Sequence, residues 1–126
     1  METKFYICKH CGNLIRMVNG SGVPVKCCGE NMELLVPNSS GASEEKHLPV
    51  VCIDGNEVHV AVGAAVHPMT EEHSIQWIYL QTENGSQFRA LKVTDAPEAK
   101  FVLGDDKPVA VYEYCNLHGL WMTEIK

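Results

Sequence analysis

Glu57-Val58-His59-Val60-Ala61-Val62-Gly63-Ala64-Ala65-Val66 sets Val58, Val60, Val62, Ala64 and Val66 against Glu57, His59, Ala61, Gly63 and Ala65. A period of two sends alternate side chains to opposite faces of a β-strand, so the stretch predicts a strand with one face in a core and the other largely at the surface. Upstream, Asp54-Gly55-Asn56 parts it from the apolar run Val50 to Ile53. Downstream, Asn84-Gly85 parts Ile75 to Thr82 from Gln87 to Val93, a hairpin signal because both turn positions favour positive φ. Further strands are expected from Lys100 to Leu103 and from Val109 to Tyr114. Short strands between turn signals, with no repeat and no long helical pattern, write an all-β sandwich or barrel.

Composition limits the function. The chain of 126 residues is 45% apolar and 21% charged, a globular composition with room for one ordinary domain or a small one plus a medium one. A net charge of −6, with ten Lys and Arg, excludes a nucleic-acid phosphate backbone as the natural partner. Met1-Glu2-Thr3-Lys4-Phe5 has no apolar run suited to a signal peptide or membrane span, so no membrane partner and a cytoplasmic location are expected. In a reducing compartment, six cysteines point to metal binding or chemistry rather than disulfides.

Four of the cysteines fall within the first 28 residues. Pro37-Asn38-Ser39-Ser40-Gly41-Ala42-Ser43-Glu44-Glu45 is polar and reads as a linker. The expected division is a metal-bound domain over residues 1–36, a linker over 37–44 and a β-sandwich domain over 45–126. Lys4 to Glu33 has too little apolar sequence for a core, so a metal must hold it together. Cys8-Lys9-His10-Cys11-Gly12 is a knuckle that aims two sulfurs at one ion, and Cys27-Cys28-Gly29 supplies two more. Neighbouring residues of an extended chain project oppositely, so Cys27 and Cys28 can share an ion only if the backbone bends sharply between them. Thiolates suit zinc and iron alike, and the residues leave that choice open. His10 reads as an exposed loop residue.

A second group of donors is scattered over the remaining chain. His67-Pro68 lies where a strand must stop, and His73 follows six positions later in the same loop. Cys115-Asn116-Leu117-His118-Gly119 follows the last expected strand with spacing that suits two ligands on one turn. His47, in Glu45-Lys46-His47-Leu48-Pro49, is the candidate fifth donor. Any one of these histidines alone reads as a surface or satisfied core residue; together with a thiolate they read as a metal site. His59, in mid-strand on the polar face, is expected at the surface. Cys52, inside Val50-Val51-Cys52-Ile53, is expected as a buried structural thiol.

The succession Cys-x-x-Cys, Cys-Cys, Glu-Lys-His, His-Pro, Glu-Glu-His and Cys-Asn-x-His resembles the desulfoferrodoxins, the two-iron class of superoxide reductase, over essentially the whole chain. The resemblance implies two mononuclear irons per chain: a rubredoxin-like iron held by Cys8, Cys11, Cys27 and Cys28, and a catalytic iron held by His47, His67, His73, His118 and Cys115. It also implies a desulforedoxin-like N-terminal domain, an immunoglobulin-like C-terminal β-sandwich and a homodimer. The implied activity is one-electron reduction of superoxide to hydrogen peroxide without oxygen production, with rubredoxin or a similar carrier as electron donor. An acidic protein repels an anion at long range, and Lys46 is the candidate local cation. Glu45 is implied to ligate or cover the oxidised iron after turnover. Two other classes, a rubredoxin-type electron-transfer protein and a zinc-stabilised binding module, need only a closed four-ligand site, which a site of five ligands with an open position does not resemble.

Overall fold

The computed structural model describes residues 3–126 and separates the chain into two compact units, one ending at Val36 and one beginning at Pro37. In the first unit, β1 (Phe5–Ile7) pairs antiparallel with β2 (Leu14–Arg16) on one side and, beyond β3 (Lys26–Cys27) and β4 (Glu30–Asn31), with β5 (Glu33–Leu34) on the other. Strands β3 and β4 form a separate two-stranded ribbon. Among the described residues of this unit Phe5 and Cys8 alone are buried. Such a core is too small to hold the fold by apolar burial, as the sequence implies.

The second unit opens with a four-residue helix, α1 (Glu44–His47), and continues through β6 (Pro49–Asp54), β7 (Glu57–Val62), β8 (Ile75–Thr82), β9 (Ser86–Ala90), β10 (Glu98–Val102), β11 (Pro108–Cys115) and β12 (Gly119–Glu124). Two antiparallel sheets, ordered β10-β7-β6 and β12-β11-β8-β9, enclose the core in an immunoglobulin-like sandwich. Val58, Val60, Val62, Ala99 and Phe101 from the first sheet meet Ile75, Ile78, Leu80, Val111 and Cys115 from the second. The alternation read from Val58 to Val62 is therefore the core face of β7, and Gly55 at φ 61° makes the turn before it.

That strand ends earlier than its pattern. Ala64 is exposed and Val66 is 77% exposed, because the chain turns at Gly63. A Cβ on Gly63 would lie 2.6 Å from the Glu45 carbonyl oxygen, so only glycine lets β7 come this close to the α1 backbone. Ala65 N–H then donates to that same oxygen at 3.0 Å, and His67 N–H donates back to the Val62 carbonyl at 3.1 Å.

Three further features emerge from the sheets. Cys52 is exposed, not buried: β6 is an edge strand, Val51 takes the half-buried inner position, and Cys52 stands beside its register partner His59 on the outer face. Strand β12 has no counterpart among the expected strands. Finally, the polar stretch after Val36 is partly anchored, since Asn38 N–H donates to the Leu120 carbonyl and its side chain makes two bonds to the Met122 backbone.

Candidate metal centres

The first unit brings the sulfurs of Cys8, Cys11, Cys27 and Cys28 within 4.8 Å of one another. Gly12 N–H donates to the Cys8 carbonyl and Cys8 N–H to the Asn13 carbonyl, both at 2.8 Å, with Gly12 at φ 84°. This tight turn aims both knuckle sulfurs inward. The bend that adjacent cysteines require is present as well: Cys28 has φ 53° and Gly29 φ 78°. Cys11 and Cys27 sulfurs stand 3.6 Å apart, and the Asn13 amide donates to Cys27 at 3.6 Å. Bonding from the Cys11 backbone is the main influence pulling the Cys8 thiol down to about 6, while contact with the Cys11 side chain pushes Cys28 up to about 12. Four thiols crowded so closely cannot all ionise unless a cation shares them, which fits a four-thiolate metal. His10 lies outside the group, exposed and paired with Glu30 at 3.0 Å.

In the second unit the five donors arrive from three places in the chain. His47 ends α1, His67 follows the Gly63 turn, His73 closes the loop before β8, and Cys115 and His118 flank the turn from β11 to β12. The donor atoms of His47, His67, His73 and Cys115 lie within 4.8 Å of one another. His118 joins them through Nδ1, 3.1 Å from His47 Nε2. Ring centroids run 4.8 Å from His47 to His67, 4.5 Å to His73, 5.1 Å to His118 and 4.9 Å back to His47, with 6.4 Å across from His47 to His73. Four sides of similar length with a longer diagonal describe a nearly square ring of imidazoles, each nearly perpendicular to the next. The Cys115 sulfur reaches across the other diagonal, 3.5 Å from His67 Nε2 and 3.9 Å from His118 Nδ1.

Hydrogen bonds set which nitrogen faces inward. His47 Nδ1–H donates to the Ser43 carbonyl and His67 Nδ1–H to the Pro68 carbonyl, each at 2.7 Å, leaving both Nε2 atoms as lone pairs directed at the centre. Trp121 stacks on His47 at 5.0 Å and donates its indole N–H to the His118 carbonyl at 3.1 Å. Burial favours the neutral form of His47, His67 and His73: it is the leading cause that pulls His67 down to about 4 and lowers the other two, with neighbouring imidazoles and Lys46 adding to the effect on His47. The Cys115 thiol is pushed up, again chiefly by burial.

These residues fit a bound metal. The two inward lone pairs of His47 and His67 face each other at 3.2 Å, an arrangement that repels unless a cation lies between them. His73 Nε2 is buried without a hydrogen-bond partner among the described residues. A cation would satisfy all three nitrogens and turn the raised Cys115 thiol into a thiolate. Four imidazoles and one thiolate suit iron as a redox centre. All nine ligand candidates therefore gather in two groups. His59 stays at the surface, bonded to Glu57 at 3.1 Å. The supporting carbonyls of Ser43 and Pro68 carry no sequence signal, since any residue supplies one.

Fold and site together define a class: an all-β protein that unites a four-cysteine group with a buried four-histidine, one-cysteine group in an immunoglobulin-like sandwich. The Desulfoferrodoxin family pattern matches residues 39–124. A desulfoferrodoxin of Nitratidesulfovibrio vulgaris is 45% identical over 123 residues, covering 98% of this chain and 97% of its own. The crystal structure of the superoxide reductase from Treponema pallidum superposes with a TM-score of 0.82 at 40% identity, covering 98% of this chain and all of the other. A one-iron superoxide reductase from Giardia intestinalis, 33% identical with a TM-score of 0.57, covers 65% of this chain and 98% of its own. The chain belongs to the desulfoferrodoxin family.

Proposed function

We propose that the protein is a superoxide reductase that takes up two irons per chain, and the observation that carries the reading is the square of four imidazoles with the buried Cys115 sulfur against it. His47, His67, His73, His118 and Cys115 would hold an iron, whose chemistry when bound would be to supply the single electron that, with two protons, takes superoxide to hydrogen peroxide. The chain's own part is to orient and to attract. Ser43 and Pro68 hold the tautomers of His47 and His67, and Trp121 keeps the His47 ring from rotating. Lys46 presents an ammonium close enough to press on His47 and His73, so it draws the anionic substrate towards an otherwise acidic protein. Glu45, beside it, covers the oxidised site after turnover.

The same reading makes residues 1–36 a desulforedoxin-like iron domain, with Cys8, Cys11, Cys27 and Cys28 as its ligands, 37–44 a linker and 45–126 the reductase domain. Rubredoxin or a similar small carrier returns the electron, the protein works as a homodimer, and it acts in the cytoplasm. No helix of the described residues is long and apolar enough to cross a membrane.

Metal analysis combined with superoxide consumption under donor turnover tests the proposal. Two irons per chain, one peroxide formed per superoxide and no oxygen evolved are expected. One peroxide per two superoxides with oxygen release would make the protein a dismutase. A colourless zinc protein without turnover would make it a binding module.

A further inference from the structure

We infer that Asn116 is a positioning residue that assembles the second metal pocket before metal arrives. The inference rests on the reading of that pocket as a metal site. His47 and His67 each have a ring nitrogen tied to a backbone carbonyl, whereas His73 Nε2 has no partner and the His73 side chain is only half-buried. Its position must therefore come from the backbone on either side of it. Thr70 shapes the loop from within: its N–H donates to the His73 carbonyl at 2.9 Å, and His73 N–H donates to its hydroxyl at 3.1 Å. Those bonds give the loop its form without tying it to the other ligands.

Asn116 makes that tie. Ser74 N–H donates to its Oδ1 at 2.9 Å, its Nδ2 donates to the Glu72 carbonyl at 2.9 Å, and its own N–H donates to the Ser74 carbonyl at 3.2 Å. Three bonds thus grip the residues on both sides of His73. The gripping residue stands next to Cys115 and two positions before His118. Beyond the β8–β11 pairing of Ile75 with Cys115, the Asn116 amide ties the residues flanking His73 to the turn that carries Cys115 and His118, and it has both the donor and the acceptor the loop requires. Glu71 and Glu72 are exposed, so no buried apolar side chain of their own holds this end of the loop down. Without the amide, metal binding must order the loop, and affinity falls by that cost.

Anaerobic titration of ferrous iron against a chelator tests this on the full chain in wild type, Asn116→Ala, Asn116→Asp and the control Asn84→Ala. Asn84 lies in the β8–β9 turn, where its side-chain amide donates to Asp106 Oδ1 at 3.2 Å. Loss of two side-chain hydrogen bonds predicts second-site iron binding roughly tenfold or more weaker in Asn116→Ala, with a displaced cysteine-to-iron absorption band. The four-cysteine iron and the Asn84→Ala protein should match wild type. Asn116→Asp keeps the acceptor for Ser74 N–H and loses the donor to Glu72, so it should fall between; it carries the test if the alanine variant does not fold. Wild-type affinity and absorption in both Asn116 variants would overturn the inference alone. A wild-type protein that takes up no second iron would overturn the pocket and the inference together.

Discussion

Glu113 lies fully buried on β11, both carboxyl oxygens lack a partner among the described residues, and burial pushes the group from 4.5 up to about 9. The folded chain keeps this proton to about pH 9, whereas the unfolded chain releases it above about 4.5, so stability falls as pH rises across that window. Glu113→Gln should flatten the slope and raise stability on the order of 3 kcal/mol at neutral pH. Urea unfolding at several pH values would show it, and parallel slopes for the two proteins would mean that the carboxyl is not held neutral. Lys46 invites a second test at this scale. Its ammonium should accelerate encounter with superoxide, so Lys46→Ile should lower the bimolecular rate constant roughly tenfold and alter its dependence on salt, with iron content unchanged. Pulse radiolysis across a salt series decides this; an unchanged rate and salt slope would make Lys46 a bystander.

Among the elements, the junction of β7 with α1 is the most demanding. A methyl group at Gly63 would meet backbone atoms of both Glu45 and Lys46, which cannot swing aside as a side chain can. Gly63→Ala should cost about 2 kcal/mol or more and weaken iron binding through His47, while leaving the four-cysteine iron untouched. Denaturation and metal titration would reveal the two effects together; an alanine variant with unaltered iron binding would show that α1 can shift without moving His47. This contact is also one that local sequence does not encode. Alternation located the core positions of β7 because periodicity is local, but nothing near Gly63 in the chain announces Glu45, 18 positions earlier. Cys52 departs from its expected burial for a related reason: an apolar run suggests a core, yet a strand of a two-layer sandwich buries only alternate positions. Gly119–Glu124 escaped because its start coincides with a turn that reads as metal ligation. The ligands themselves were legible because paired ligands on one turn leave a fixed spacing, whereas the carbonyls that orient them leave none.

At the scale of the whole molecule, the two metal groups fall in separate compact units. Cys28→Ser should therefore lose or perturb the first iron and leave superoxide reduction largely intact, as iron analysis and turnover on one preparation would show. Loss of all reductase activity with the second iron still bound would mean that the sites are coupled. The spread of ligands along the chain differs just as sharply. One set is complete by residue 28; the other begins at residue 47 and closes only at residue 118. During synthesis on a ribosome, a nascent chain can thus offer a finished binding site for its first iron while the second still consists of isolated imidazoles, so the two irons would be loaded in a fixed order.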